Sequence, residues 1–334
     1  MNPKAMRLLK LVPCALLGVS VLSTAAQADG REPGSVLVYP IHRSALFQAN
    51  VFNVVNVTNT NRAGSGTTNV HFQYVNVTTA GTPFLFANCT ISDRVETLTP
   101  ADTLSVLTSC HNGAFNNEGY LVVSAQNPNL VDTKWSFNYL IGSEQIVSAG
   151  GGMYSLNAIP FTSPQPAKAD TDVDQDGRLD FNGVEYEGIA DELYIDSYIG
   201  AIAGELVLIS LTGGEYLTNV NFVIYNDDEF QLSAQYSFAC WTRTPLAAIS
   251  GYFTALGLAT TPDDPSELDI NCDGLQDLDT GWAIVRPTTS LSITSPSISN
   301  PAVMGALVND AAPFMNARLL WESTGKQFNG QFPN

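Results

Sequence analysis

Thr68-Asn69-Val70-His71-Phe72 and Thr218-Asn219-Val220-Asn221-Phe222 are the two stretches on which the fold turns. Each ends four residues before an asparagine, Asn76 or Asn226, and each alternates apolar with polar side chains in the period of a half-buried strand. Outward from them, further landmarks recur in one order. Cys89 follows Asn69 by 20 positions and Cys240 follows Asn219 by 21. Thr99-Pro100 and Thr244-Pro245 come next, with Ser105 and Ser250 five residues past each proline. A second cysteine, Cys110 or Cys272, then stands nine residues before a strand start, Gly119-Tyr120-Leu121-Val122-Val123 or Gly281-Trp282-Ala283-Ile284-Val285. Upstream, Tyr39 and Tyr194 occupy matching places before Thr58 and Thr212. Ordered landmarks with near-equal gaps predict an internal duplication.

The local signals are those of β-structure. Val51–Val57, Val70–Val77, Leu206–Leu211 and Val220–Tyr225 are rich in β-branched and aromatic residues and are separated by Asn, Gly, Thr and Pro clusters. Leu206-Val207-Leu208-Ile209 is continuously apolar, which predicts a strand covered on both faces. Helix signals are few. Leu246, Ile249, Phe253 and Leu256 have helical spacing, whereas Leu104–Leu107 at the matching place reads as a strand. The expected fold is all-β: two tandem homologous Ig-like or jelly-roll-type β-sandwiches, at 29–163 and 186–334, with inserted acidic loops. Between them, 164–185 reads as a linker and loop. It continues the proline-stiffened run Pro160-Phe161-Thr162-Ser163-Pro164-Gln165-Pro166.

Residues 1–28 read as an export signal: Lys4, Arg7 and Lys10, an apolar run from Leu11 to Leu22, then Ala26-Gln27-Ala28. Without it the formal charge of 14 − 32 = −18 becomes 11 − 32 = −21. So acidic a chain is a poor partner for nucleic acid or anionic membrane, and no later run reaches the ~20 apolar residues of a transmembrane segment. Export makes two disulfides the default for the four cysteines beyond Cys14. Three connectivities are open, and the duplication selects Cys89–Cys110 and Cys240–Cys272, one bridge per domain.

The most specific chemistry is Asp172-Val173-Asp174-Gln175-Asp176-Gly177-Arg178-Leu179-Asp180. Alternate carboxylates point to one centre, Gly177 permits the closing turn, Arg178 offers its carbonyl, and Asp180 is a direct or water-mediated ligand. A second copy runs Asp269-Ile270-Asn271-Cys272-Asp273-Gly274-Leu275-Gln276-Asp277-Leu278-Asp279, with Leu275 in the place of Arg178. Hard oxygen donors at this spacing suit Ca²⁺ better than Mg²⁺. Over about ten residues each, both loops resemble the D-x-[DN]-x-D-G loops of EF-hands, dockerins and thrombospondin type 3 repeats. The resemblance implies one or two structural Ca²⁺ ions, held by Asp172, Asp174, Asp176 and Asp180, and by Asp269, Asn271, Asp273, Asp277 and Asp279. Both loops depart from the EF-hand at its twelfth position, Gly183 and Thr280 here, and Glu185 or Glu187 is the residue available to substitute in the first.

Catalytic patterns are harder to find. His42, His71 and His111 are scattered through the first half, and no G-x-S-x-G, H-E-x-x-H or cysteine-nucleophile signature occurs. Glu118, Glu144, Glu205 and Glu215 offer no spacing that singles out a glycosidase pair. Of the tryptophans, Trp282 matches Tyr120 and reads as core, while Trp135, Trp241 and Trp321 are open to core packing or sugar stacking. The sequence therefore favours a non-enzymatic protein of the cell surface, extracellular matrix or periplasm. Its partner would be a surface or matrix protein, a glycan, or further copies of itself. The alternatives are a secreted carbohydrate-binding module or glycan-active enzyme, and a calcium-dependent fibre or surface-layer subunit.

Overall fold

Burial alternates along some strands and not along others, and this sorts the sheets into inner and outer layers. The computed structural model describes residues 31–44, 51–78, 88–114, 117–130, 132–148, 152–200, 204–212, 216–226, 228–258, 268–274, 276–292, 294–309 and 315–332. The export signal, Leu275 and Glu215 lie outside these residues.

The first half contributes β1 (Val36–Arg43), β2 (Val51–Asn59), β3 (Thr68–Thr78), β4 (Asn88–Leu98), β5 (Thr103–Leu107), β6 (Glu118–Gln126), β7 (Leu140–Ser148), β8 (Met153–Asn157) and β9 (Ile159–Phe161). The second contributes β10 (Leu193–Ile199), β11 (Glu205–Ser210), β12 (Leu217–Asn226), β13 (Gln231–Ala239), β14 (Trp241–Pro245), β15 (Thr280–Leu291), β16 (Val303–Asn309), β17 (Asn316–Leu319) and β18 (Trp321–Glu322). All pairings among them are antiparallel. The first half forms sheets β4-β3-β6-β1-β9 and β5-β2-β7-β8, and the second forms β13-β12-β15-β10-β18 and β14-β11-β16-β17. Along these paths the second order is the first with nine added to every strand number; Ile298–Ser299, which also pairs with β15, has no counterpart in the first half. Even the bulges agree: β1 slips against β6 between Tyr39 and His42, and β10 slips against β15 between Ile195 and Tyr198.

The four sheets stack as layers. Leu37, Tyr39, Val55, Val57, Phe72 and Leu121 fill the sandwich of the first half. Ile195, Leu206, Leu208, Phe222 and Val285 fill that of the second. A third core lies between the halves, where Val36, Val38, Val75, Tyr120 and Val122 meet Val207, Ile209, Trp241, Met304 and Ala306. Strands β1, β6, β11 and β16 are thus buried on both faces, which accounts for the apolar run Leu206–Ile209. Strands β2 and β12, in the outer sheets, alternate. Because the middle core belongs to both halves, Glu32–Asn334 forms one compact unit.

The cysteines do not pair as the duplication predicts. Cys89 bonds Cys240 across the halves, and Cys110 and Cys272 are exposed thiols. Register explains the error. Cys89 lies opposite Val77 at the start of β4, whereas Cys240 follows Ala239 at the far end of β13. The two cysteines are therefore not equivalent, although their distances from Asn69 and Asn219 agree. The corner after β13 inserts into the first half at three points: the disulfide, Trp241 Nε1 donating to the Pro40 carbonyl at 2.9 Å, and Arg243 Nη1 paired with Glu118 at 3.2 Å. Nor is Trp282 the core residue that its match to Tyr120 predicts. It is 38% exposed, because the outer face of its sheet meets solvent where that of Tyr120 meets the other half.

The stretch read as a linker is structured as well. Ile159–Phe161 is the edge strand β9, and farther on Leu179–Phe181 pairs with Gly330–Phe332 near the end of the chain. Leu246–Ile249, Gly251–Phe253 and Ala255–Leu258 are three short helical turns, with Leu246, Phe253 and Leu258 buried and Leu256 exposed. No helix among the described residues is long and apolar enough to cross a membrane.

Glu144 points into the first sandwich and is fully buried. Burial pushes its carboxyl well above the ordinary 4.5, against a smaller opposing effect of the Ile41 backbone. The folded state therefore keeps a proton that the unfolded chain loses. The resulting stability is complete below pH 4.5 and is lost as pH rises from there toward the folded value. Glu144→Gln removes this dependence. Urea unfolding from pH 4.5 to 8 should show the wild type losing ground to the variant by up to about 1.4 kcal/mol per pH unit. Parallel curves would contradict a protonated Glu144.

Candidate metal centre

Short Asx turns shape the first acidic loop. Gly177 N donates to Asp172 Oδ2 at 3.0 Å, Asp176 N to Asp174 Oδ1 at 3.2 Å, and Arg178 N to Asp176 Oδ1 at 2.8 Å. Gly177 sits at φ +81°, a left-handed value that a side chain would strain. The turns bring carboxylate oxygens of Asp172, Asp174 and Asp176 within 4.8 Å of one another, an arrangement that could hold a metal ion.

The loop is fixed from below. Glu185 accepts Val173 N at 2.6 Å and Asp180 N at 3.3 Å, while Glu187 accepts Thr162 N at 2.9 Å. These contacts give the two glutamates a bracing role, in place of the missing twelfth-position ligand. Leu179, Phe181 and Tyr186 anchor the segment in the middle core. Asp180, only 5% exposed, feels Asp176 and Asp174. Burial first, and those two carboxylates next, raise its carboxyl above the ordinary range. Asp172 Oδ1 and Asp180 Oδ1 are buried without a hydrogen-bond partner. The buried, unpartnered Asp172 oxygen belongs to the converging trio, a donor set that fits a hard cation, whereas Asp180 stands outside the trio and its carboxyl hydrogen-bonds Gln331. Asp180 also lines a recess of about 250 Å³ with Phe328 and Gln331.

Lys134 is the residue the sequence did not reveal. It comes from the first half, is 2% exposed, and donates its ammonium to the carbonyls of Gly177 and, at 2.8 Å, Arg178. The Arg178 carbonyl, expected as a metal ligand, is thereby held by Lys134, whose Nζ lies 4.0 Å from Asp172 Oδ2. Burial lowers the Lys134 pKa, and the surrounding carboxylates, Asp172 first, oppose this. Its only trace in the sequence is a lone lysine beside Trp135.

The second loop repeats the local geometry. Gly274 N donates to Asp269 Oδ2 at 2.7 Å and Asp273 N to Asn271 Oδ1 at 2.9 Å, as in the first loop. Backbone N–H groups, that of Gly274 foremost, hold the Asp269 carboxyl below its ordinary range. Asp277 accepts Ile270 N at 2.9 Å, the bracing task that Glu185 performs in the first loop. Among the described residues only Asp172, Asp174 and Asp176 form a trio of acidic side chains close enough for one ion; Asp269, Asp273, Asp277 and Asp279 form no such trio, while Asp269 Oδ1 and Asn271 Oδ1 both accept from Asp273 N, at 3.1 and 2.9 Å.

The other candidates separate. His42 is buried against the Val75 carbonyl at 3.0 Å, and burial lowers its pKa to about 4. His71 faces Asp93 at 2.9 Å, and His111 meets the Tyr74 hydroxyl at 2.9 Å. Glu118 and Glu205 both pair with Arg243, while Glu144 is sealed in a core. Trp135 and Trp241 are buried, and Trp321 is 66% exposed. Family models, curated proteins and solved structures give no match to this chain.

Proposed function

We propose that this is an exported, calcium-stabilised β-protein of the cell surface or extracellular space that acts by binding or assembly. The observation that carries the reading is the first acidic loop, where three converging carboxylates and the unpartnered oxygen of Asp172 stand on a segment anchored in the middle core. A cation there neutralises three converging carboxylates, and it stiffens the joint between the halves. Calcium is the natural choice for an all-oxygen site outside the cell. The Cys89–Cys240 bridge and the lack, among the described residues, of a helix fit to cross a membrane are compatible with that location. The matching strand orders and bulges support descent of the two halves from one duplicated sandwich.

Thermal unfolding of the oxidised protein tests the reading. At ten times Kd one calcium site adds about 1.4 kcal/mol, a rise of roughly 2–4 °C over the protein in EDTA. Identical melting in calcium and EDTA would refute it. Glycan binding is the second reading, favoured by the exposed rings of Trp282 and Trp321.

A further inference from the structure

The contact between the halves joins unlike faces. On the first half it uses the outer face of the five-stranded sheet β4-β3-β6-β1-β9. On the second it uses the outer face of the four-stranded sheet β14-β11-β16-β17. Such head-to-tail packing leaves one face of each kind open on the same molecule: the outer face of β13-β12-β15-β10-β18 and that of β5-β2-β7-β8. Heterologous contacts of this sort propagate when repeated between molecules.

The first open face has the chemistry of the corresponding buried one. Strand registers place Tyr225, Trp282, Ile284, Tyr194 and Trp321 where the first half has Val75, Tyr120, Val122, Val38 and Ile159. The latter five are all buried against the other half. Their counterparts are all apolar or aromatic, and Tyr225 and Trp282 already stack with centroids 4.5 Å apart. At the margin, charges neutralise one another, Arg286 with Glu192 at 2.6 Å and Arg318 with Asp196 at 2.8 Å.

The second open face suits the first. Phe52, Val147 and Met153 form a cross-strand apolar row, with Phe52 and Met153 exposed. Beyond it, strand alternation turns Val54, Asn56 and Gln145 outward, and no outward position of these four strands carries a charge. In a chain with 32 acidic and 14 basic residues, this face, part apolar and part Ser, Thr, Asn and Gln, shares the charge depletion of an interface core.

We propose that copies of this chain assemble head to tail, the Trp282–Trp321 face of one seating on the Phe52–Met153 face of the next. The assembly repeats between molecules the contact that joins the halves within one. It names the partner for the assembly branch of the function proposed above and does not require the metal. With sheets about 10 Å apart, four layers per molecule give an axial rise of about 40 Å.

Sedimentation and negative-stain microscopy of the oxidised protein test this, in calcium and in EDTA. One variant blocks the aromatic face (Trp282→Glu with Trp321→Glu) and another blocks the uncharged face (Phe52→Lys with Gln145→Lys). Trp321→Glu alone, at a more exposed position, guards against misfolding, and each variant's melting temperature is compared with wild type. The wild type should grow in mass with concentration and show the 40 Å repeat expected for about 10 Å per layer. Each blocked variant should stay monomeric, and an equimolar mixture of the two should form dimers and stop. A wild type monomeric at its highest soluble concentration, or blocked variants that still polymerise, would overturn the proposal. So would a monomer retained on cellulose or chitin until Trp321→Glu releases it, which would assign the face to glycan. The calcium-dependent melting shift is read separately, so the metal site stands or falls on its own.

Discussion

The double substitution Cys89→Ser/Cys240→Ser is expected to lower stability by about 5 kcal/mol, the chain-entropy value for a bridge closing so long a loop. The two cysteines are 151 positions apart, and the bridge joins strands of different halves beside the shared core. Urea unfolding of oxidised wild type and variant gives the difference. Peptide mapping should recover Cys89 joined to Cys240, with Cys110 and Cys272 alkylated before reduction. A loss under about 1 kcal/mol, well below the usual range, or the pairing Cys89–Cys110, would contradict the bridge between halves.

Phe181→Ala should be nearly as costly, about 3–5 kcal/mol, as for a large side chain removed from a packed core. Phe181 is fully buried, with its ring 4.7 Å from that of Phe161 and 5.9 Å from that of Tyr186. It also follows Asp180 directly and holds the acidic loop to the core. The variant should therefore unfold at lower urea and bind calcium more weakly. Because Phe181 belongs to the core shared by the halves, the unfolding should remain a single transition. Two separated transitions would show that the halves unfold independently.

Much of the architecture was legible because burial writes itself into strand composition. Leu206-Val207-Leu208-Ile209 announced a strand covered on both faces, and the Asn69/Asn219 and Gly119/Gly281 landmarks occupy equivalent places in the strand order. The cysteine landmarks misled for a geometric reason. The β3–β4 connection uses residues 79–87, whereas β12–β13 uses only 227–230. Nearly equal counts, 20 from Asn69 and 21 from Asn219, therefore reach the start of one strand and pass the end of the other. Trp282 misled because identical strand positions face a neighbouring sheet in one half and water in the other.

At the acidic loop, the residues that converge were legible from local spacing, since Asx turns act over two to five residues. Lys134 was not, because it reaches the loop from 43 positions away and only the tertiary fold brings it there. Nor did the sequence distinguish the loops. Their backbone turns agree, but Glu185 braces the first from outside the motif, while Asp277 is consumed bracing the second.

The most direct test of this account is calorimetric titration of Ca²⁺ into the oxidised protein, the Asp174→Asn/Asp176→Asn variant and the Asp269→Asn/Asp273→Asn variant. Wild type should give a calcium-binding isotherm that persists in the second variant and vanishes in the first, with each variant still folded. No binding by wild type, or unchanged binding after Asp174 and Asp176 are replaced, would contradict it.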